Sequence, residues 1–352
     1  MSNDTVALCS VVNDPFVPGF ICMERSLRRT NPDWDFPLFV FYEDNICPLS
    51  AGSKQLIEKY CDNVRFIGID VESFAEVFEY ARTVIGTPER LMPAFFILEA
   101  FRMKTFGRVI CLDSDILIRG SLDELIITDF PFSAVRAADG VTNEPRSFVN
   151  TGLMVIGEPL LRDFDLCAAI QSVRDKRPAP GSGKADQAII NMLFDNDSIG
   201  YLPRRFNYTK RMLMIEAGAL NDCDAYEAFL TARDVRMFHY VVEKPWNLKV
   251  RNAENGYGAI EELWTRELMS FADRDLLVFL DDMRRSWFRR YADAASSCAG
   301  KNEDGGKGGG WPKGMEGANV RFIRLRYGGG DWDQDMGRGA DYNLLIRFNQ
   351  FT

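Results

Sequence analysis

Five segments alternate at the start of the chain, and this alternation constrains the fold more than any other feature. Val6 to Val12 is a continuous apolar run closed by Asn13-Asp14-Pro15, which reads as a buried strand ending in a loop. Gly19 to Arg29 carries an apolar stripe that includes Ile21, Met23 and Leu27 and reads as a helix. Phe36 to Tyr42 is a second strand, stopped by Glu43-Asp44-Asn45. Gln55 to Cys61 is helical, and Val64 to Ile69 is a third strand. Strands that follow one another through helices lie parallel, with the helices covering the faces of the sheet. The expected class is therefore α/β, with a central, mostly parallel, twisted sheet flanked by helices.

The remaining elements extend this pattern. Ala94 to Arg102 reads as a buried helix, and Val109 to Ile118 as one long strand. Phe148 to Ile156 is a further strand, and Ala185 to Phe194 is a helix opening at Asp186-Gln187. Val235 to His239 is a short late strand, followed by helical patterns over Ala259 to Met269 and Asp273 to Ala295. Residues 1–298 form the expected main domain. Residues 299–318, rich in Gly, Lys and acidic side chains, read as a linker. Residues 319–352 are too few to hold a core. They read either as the start of a truncated second domain, resembling the opening of a larger bacterial domain of unknown function, or as a tail packing back on the main one.

Net charge is −9 and the pI is near 5.0, which argues against a nucleic-acid partner, since such proteins carry a basic footprint. Eight cysteines occur without a C-x-x-C pair, several in apolar runs, and read as reduced, buried thiols rather than disulfides or zinc ligands. The N-terminus has no basic region, and no 18-residue apolar stretch exists in the sequence. A cytoplasmic location is the expectation.

Two aspartates interrupt the run Val109-Ile110-Cys111-Leu112-Asp113-Ser114-Asp115-Ile116-Leu117-Ile118. In an extended strand Asp113 and Asp115 share a face, about 6–7 Å apart. A merely solvated acidic face would have polar neighbours at the same parity, but those positions are Val109, Cys111 and Leu117. Two carboxylates in an apolar row repel each other and lose hydration, and a divalent cation relieves both costs. The chain's only histidine, His239, lies five residues before Lys244-Pro245-Trp246. Carboxylates with one imidazole suit Mn²⁺, with Mg²⁺ as the alternative, and leave positions open for phosphate oxygens. A lysine close by can neutralise a departing diphosphate.

The order of motifs resembles the family-eight glycosyltransferases, the glycogenin and lipopolysaccharide galactosyltransferase group. The matching pieces are Val11 to Gly19, Leu112-Asp113-Ser114-Asp115, Asn150-Thr151-Gly152, Asp186-Gln187, and His239 with Lys244-Pro245-Trp246. The resemblance spans roughly residues 5–250 and implies a GT-A-type nucleotide-sugar-binding fold. It implies a retaining, Mn²⁺-dependent hexosyltransferase that uses a UDP-sugar, UDP-glucose or UDP-galactose, and a glycan, lipid-linked or protein acceptor. Asp113, Asp115 and His239 would hold the metal. Val12, Asn13 and Phe16 would line the uridine, with Ser114 near the ribose and Lys244 on the diphosphate. Asn150, Gly152, Asp186 and Gln187 would face the donor sugar and the acceptor hydroxyl, with Asp186 or Gln187 near the reacting carbon. Three positions depart from the family pattern. Val242 stands where Gly is common, Ala94 to Ile97 lacks a basic residue, and Gly183 replaces an acidic one.

Two other stretches carry weaker signals. Pro180 to Lys184 lacks the first glycine and the Ser or Thr of a phosphate-binding loop, so it reads as a mobile loop ahead of Asp186. Met283 to Tyr291 is a basic, aromatic helix. It reads as a helix docking its aromatics into the core, with peripheral contact to an anionic membrane as the functional alternative. Rival functions are a non-catalytic nucleotide-sugar sensor or scaffold and a sugar-nucleotide pyrophosphorylase. The latter is disfavoured because no Gly-rich, Arg-containing loop follows the first strand.

Overall fold

The fold is described from a computed structural model covering residues 5–220, 222–242, 244–246, 257–299, 319–323 and 345–349, with side chains up to residue 286. Two compact units divide the chain. The first comprises residues 1–218 and 228–242, and the second residues 219–227 and 243–352.

In the first unit a seven-stranded sheet runs in the order β3-β2-β1-β4-β7-β6-β8. The strands are β1 (Val6–Val11), β2 (Leu38–Tyr42), β3 (Val64–Gly68), β4 (Arg108–Leu112), β6 (Phe132–Ala138), β7 (Pro145–Gly157) and β8 (Ile199–Leu202). β1, β2, β3 and β4 pair in parallel, as the opening alternation predicts, and β6 pairs in parallel with β8. β7 is antiparallel to both β4 and β6. A second sheet of three strands, β5-β10-β9, is built from Ile116–Ile118 (β5), Tyr208–Thr209 (β9) and Met237–His239 (β10).

The helix Val17–Thr30 carries Pro18 in its first turn, where no amide hydrogen bond is lost, and ends with Arg28 and Arg29 on its negative pole. Its buried face holds Phe20, Ile21, Met23 and Leu27. It also fixes the entry to the small sheet, because Ser26 Oγ accepts from the Ile118 amide at 3.0 Å and Asn31 Oδ1 from the Leu122 amide at 2.7 Å. On one face of the large sheet lies a phenylalanine cluster. Phe132 stacks on Phe194 at 4.3 Å between centroids, and Phe101 lies 4.9 Å from Phe164. Such pairs add about 0.5–1.5 kcal/mol each beyond the area they bury.

Two elements differ from the sequence expectation. Val109 to Ile118 is not one strand: β4 ends at Leu112, Asp113 to Asp115 form a turn, and β5 starts at Ile116. The physical reason is that the two halves pair with different partners. β4 stays between β1 and β7, whereas β5 pairs antiparallel with β10. The expected helix Ala94 to Arg102 lies within a longer 3₁₀ helix, Glu89–Arg102, with Pro93 inside it. β6, fully formed beside β7, has no counterpart among the elements read from the sequence.

In the second unit, Trp246 and Trp264 are buried with centroids 5.5 Å apart, and the helices Tyr257–Met269 and Arg274–Ala299 follow. Arg284 Nε donates to the Trp246 carbonyl at 3.2 Å and Arg285 to Asp281 at 2.7 Å, so both arginines have partners inside the unit. The side chains of Trp287, Phe288, Arg289, Arg290 and Tyr291 lie outside the described residues. β11 (Asn319–Ile323) and β12 (Leu345–Asn349) form an antiparallel pair; of the stretch read as a linker, residue 299 ends the preceding helix and residues 300–318 lie outside the described residues. No described helix is long and apolar enough to cross a membrane.

Candidate metal and donor site

β1 and β4 run parallel in register Cys9↔Cys111, so Val12 to Phe16 and Asp113 to Asp115 leave the same edge of the sheet. In sheets with parallel strands, ligands bind at these carboxyl ends. Val12 is buried, and Asn13 is half-buried with its Oδ1 enclosed and without a hydrogen-bond partner. Phe16 closes the single 3₁₀ turn Asp14–Phe16. An enclosed carbonyl oxygen with no protein donor is one a ligand can satisfy.

Three strands converge on the aspartates. The Asp113 amide donates to the Gly152 carbonyl at 2.9 Å, which ties the turn to β7. Ile116 pairs with His239 across β5 and β10, and the Tyr240 amide donates to the Asp115 carbonyl at 2.9 Å. His239 Nε2 thereby lies 3.1 Å from an Asp115 carboxylate oxygen and 3.5 Å from one of Asp113. One ligand atom from each of the three residues lies within 4.8 Å of the others, and no other cluster of this kind occurs among the described residues. His239 and Asp115 are buried, whereas the Asp113 side chain is 48% exposed, so the cluster opens to one side. The common face expected of an extended strand is replaced by a turn that brings the same two carboxylates to one imidazole. The donor set fits a hard or borderline divalent cation.

Gly152 is the floor of this cluster. A Cβ there would lie 2.6 Å from His239 Nδ1 and 3.0 Å from Asn150 Oδ1, so the ring occupies the space a side chain would need. Ser114 is buried within the turn. Asp186 and Gln187 open the helix Asp186–Leu193. Burial, and then the Asp113 carboxylate, push the Asp186 carboxyl up to about 7, opposed by the Thr151 hydroxyl. Gln187 Oε1 accepts from Asn150 Nδ2 at 3.2 Å, and its Nε2 donates to the Ser182 carbonyl at 2.9 Å. Asn191 docks this helix on β7, accepting from the Val149 amide at 2.7 Å and donating to its carbonyl at 2.9 Å. Lys244 is half-buried and belongs to the second unit. Asn207, Asn191 and Thr151 were not among the expected polar contacts. Only long-range geometry brings in Asn207, and no local motif marks it.

Residues 9–249 match the family described as Glycosyl transferase family 8, well over half of the chain. The chain belongs to this family. Among curated relatives, glycosyltransferase GlyB of Streptococcus pneumoniae serotype 4 is 26% identical over 188 residues, 51% of this chain and 43% of GlyB. Glycogenin of Neurospora crassa is 25% identical over 254 residues, 72% of this chain and 33% of glycogenin. The chain therefore spans less than half the length of either relative. Among solved structures, the galactosyltransferase LgtC in complex with donor and acceptor sugar analogs aligns with a TM-score of 0.52 at 19% identity, over 78% of this chain and 99% of LgtC. That likeness is one of fold, and the GT-A-type architecture agrees with it. In this family-eight chain the Asp113-Asp115-His239 cluster lies at the carboxyl edge of the sheet.

Proposed function

We propose that this chain is a glycosyltransferase that moves a hexose, with retention of configuration, from a UDP-sugar to a hydroxyl acceptor and depends on Mn²⁺. UDP-glucose and UDP-galactose are the donors we favour, and a glycan, lipid-linked or protein hydroxyl is the acceptor. The observation that carries this reading is the Asp113-Asp115-His239 cluster, two carboxylates and one imidazole nitrogen within 4.8 Å of one another. When bound, the cation would act as a Lewis acid on the diphosphate leaving group. The chain's own residues supply the rest. Val12, Asn13 and Phe16 line the uridine, with the partnerless Asn13 Oδ1 offered to it. Ser114 is assigned to the ribose and Lys244 to the diphosphate by the family pattern alone. Asn150, Gly152, Asp186 and Gln187 orient the donor sugar and the acceptor hydroxyl.

The test is UDP release from a panel of nucleotide sugars with Mn²⁺, comparing the wild type with Asp115→Asn. Loss of one buried ligand should lower kcat/KM on the order of 100-fold or more. Equal turnover by the two proteins refutes the metal assignment. Saturable binding of a nucleotide sugar with no release or transfer would instead make the chain a sensor.

A further inference from the structure

A single file of amides runs from the metal cluster to the start of the Asp186–Leu193 helix. His239 Nδ1 lies 2.9 Å from Asn207 Oδ1, and Asn207 Nδ2 lies 2.7 Å from Asn150 Oδ1. Asn150 Nδ2 lies 3.2 Å from Gln187 Oε1, and Gln187 Nε2 lies 2.9 Å from the Ser182 carbonyl. Side-chain amides can be turned end for end, so the direction of such a file must be fixed by groups that cannot turn. Here two such groups fix it. Asn150 Oδ1 also accepts from the Gly152 backbone amide at 3.1 Å, and a backbone N–H only donates. The oxygen of Asn150 must therefore face Gly152, and the same oxygen must accept from the NH₂ of Asn207. At the far end the Ser182 carbonyl only accepts, so Gln187 must present its NH₂ there and its oxygen to Asn150. Asn207 is left with its carbonyl oxygen toward the imidazole. That oxygen accepts and cannot donate, so neutral His239 must carry its proton on Nδ1. Nε2 then keeps its lone pair, and Nε2 is the atom 3.1 Å from Asp115 and 3.5 Å from Asp113.

We infer that Asn207 is a positioning residue for the candidate metal site: it holds His239 in the Nδ1–H tautomer, with the Nε2 lone pair aimed between the two carboxylates. Asn207 is 1% exposed, so water does not replace its oxygen. Without it, two carboxylates beside Nε2 would draw the proton to that nitrogen and block it as a ligand. The inference rests on the metal reading above, but its central statement concerns the protein without metal.

The chain's only histidine gives a single imidazole signal, so ¹⁵N-histidine labelling and long-range ¹H–¹⁵N correlation read the tautomer directly. The metal-free wild type, observed under conditions where the spectrum itself reports a singly protonated ring, should show a protonated Nδ1 and an unprotonated Nε2. A wild type with the proton on Nε2 overturns the inference by itself. Asn207→Leu should move the proton to Nε2 and weaken Mn²⁺ binding, read by titration of the Mn²⁺ EPR signal, by about 10–100-fold. Asn207→Asp keeps an acceptor for Nδ1–H, so it should hold the wild-type tautomer, and it serves if the leucine variant does not fold. A proton moved to Nε2 in Asn207→Asp counts against the inference. If the wild type shows the expected tautomer but binds no Mn²⁺, the metal reading fails and the positioning role stands. If the wild type binds Mn²⁺ and Asn207→Leu changes neither tautomer nor affinity, the positioning role fails and the metal reading stands.

Discussion

Gly152 shows how a backbone position can matter more than the side chains around it. Its carbonyl holds the Asp113 amide, its amide holds Asn150, and the imidazole of His239 lies over its Cα. The ring cannot retreat easily, because it is buried and its Nδ1 is tied to Asn207. Gly152→Ala should therefore displace the histidine, weakening Mn²⁺ binding at least about 10-fold and costing about 1–3 kcal/mol of stability through overpacking. A variant with wild-type melting and wild-type Mn²⁺ titration would contradict this. At this scale much of the site was legible. Asp113, Asp115 and His239 stood out as charged or titratable residues in apolar surroundings, and their gathering at one place is what the structure shows; the energetic argument about buried carboxylates concerned the two aspartates alone. Asn207 was illegible for a physical reason. Phe206-Asn207-Tyr208-Thr209 carries no local pattern, and its partners lie 57 and 32 residues away in the chain.

Elements were legible where local pattern and tertiary pairing agree. β1, β2 and β3 are apolar runs punctuated by loop residues, and each forms close to where it was expected. The run Val109 to Ile118 is the instructive failure. Its apolar residues continue on both sides of Asp113 and Asp115 with no Gly or Pro to mark a break, so the change of sheet is set by β7 and β10 rather than by the run itself. Three residues beyond β10 lies another local oddity. Val242 has φ +72°, the left-handed region that β-branched residues avoid, at the position where the family often carries Gly. It is 57% exposed, so little packing compensates. The strain costs about 1–2 kcal/mol, and the greater freedom of glycine in the unfolded chain offsets part of the relief. Val242→Gly should thus stabilise the protein by roughly 0.5–1 kcal/mol in denaturant unfolding. A net loss of stability would show that the strain is not real.

For the molecule as a whole, the carboxylate gathering at one sheet edge has a thermodynamic signature. Asp186 titrates near 7 in the folded protein because of burial and then the Asp113 charge, and near the ordinary 3.8 when unfolded. A carboxyl raised on folding contributes stability that is fully present below pH 3.8 and is lost as pH rises through about 7. The difference in unfolding free energy between the metal-free wild type and Asp186→Asn should therefore move against the wild type by on the order of a few kcal/mol from pH 4 to pH 8. Parallel pH profiles for the two proteins would remove Asp186 from the account. One feature of the fold gives this edge a mechanical meaning. The chain changes sheets at Asp113 to Asp115, and His239 sits on the last residue of β10 in the small sheet. That sheet has strands of only two or three residues and few ladder hydrogen bonds of its own. The candidate ligand set straddles a joint between a seven-stranded sheet and a three-stranded one, so a bound cation would clamp the joint, and its loss would let the smaller sheet loosen first.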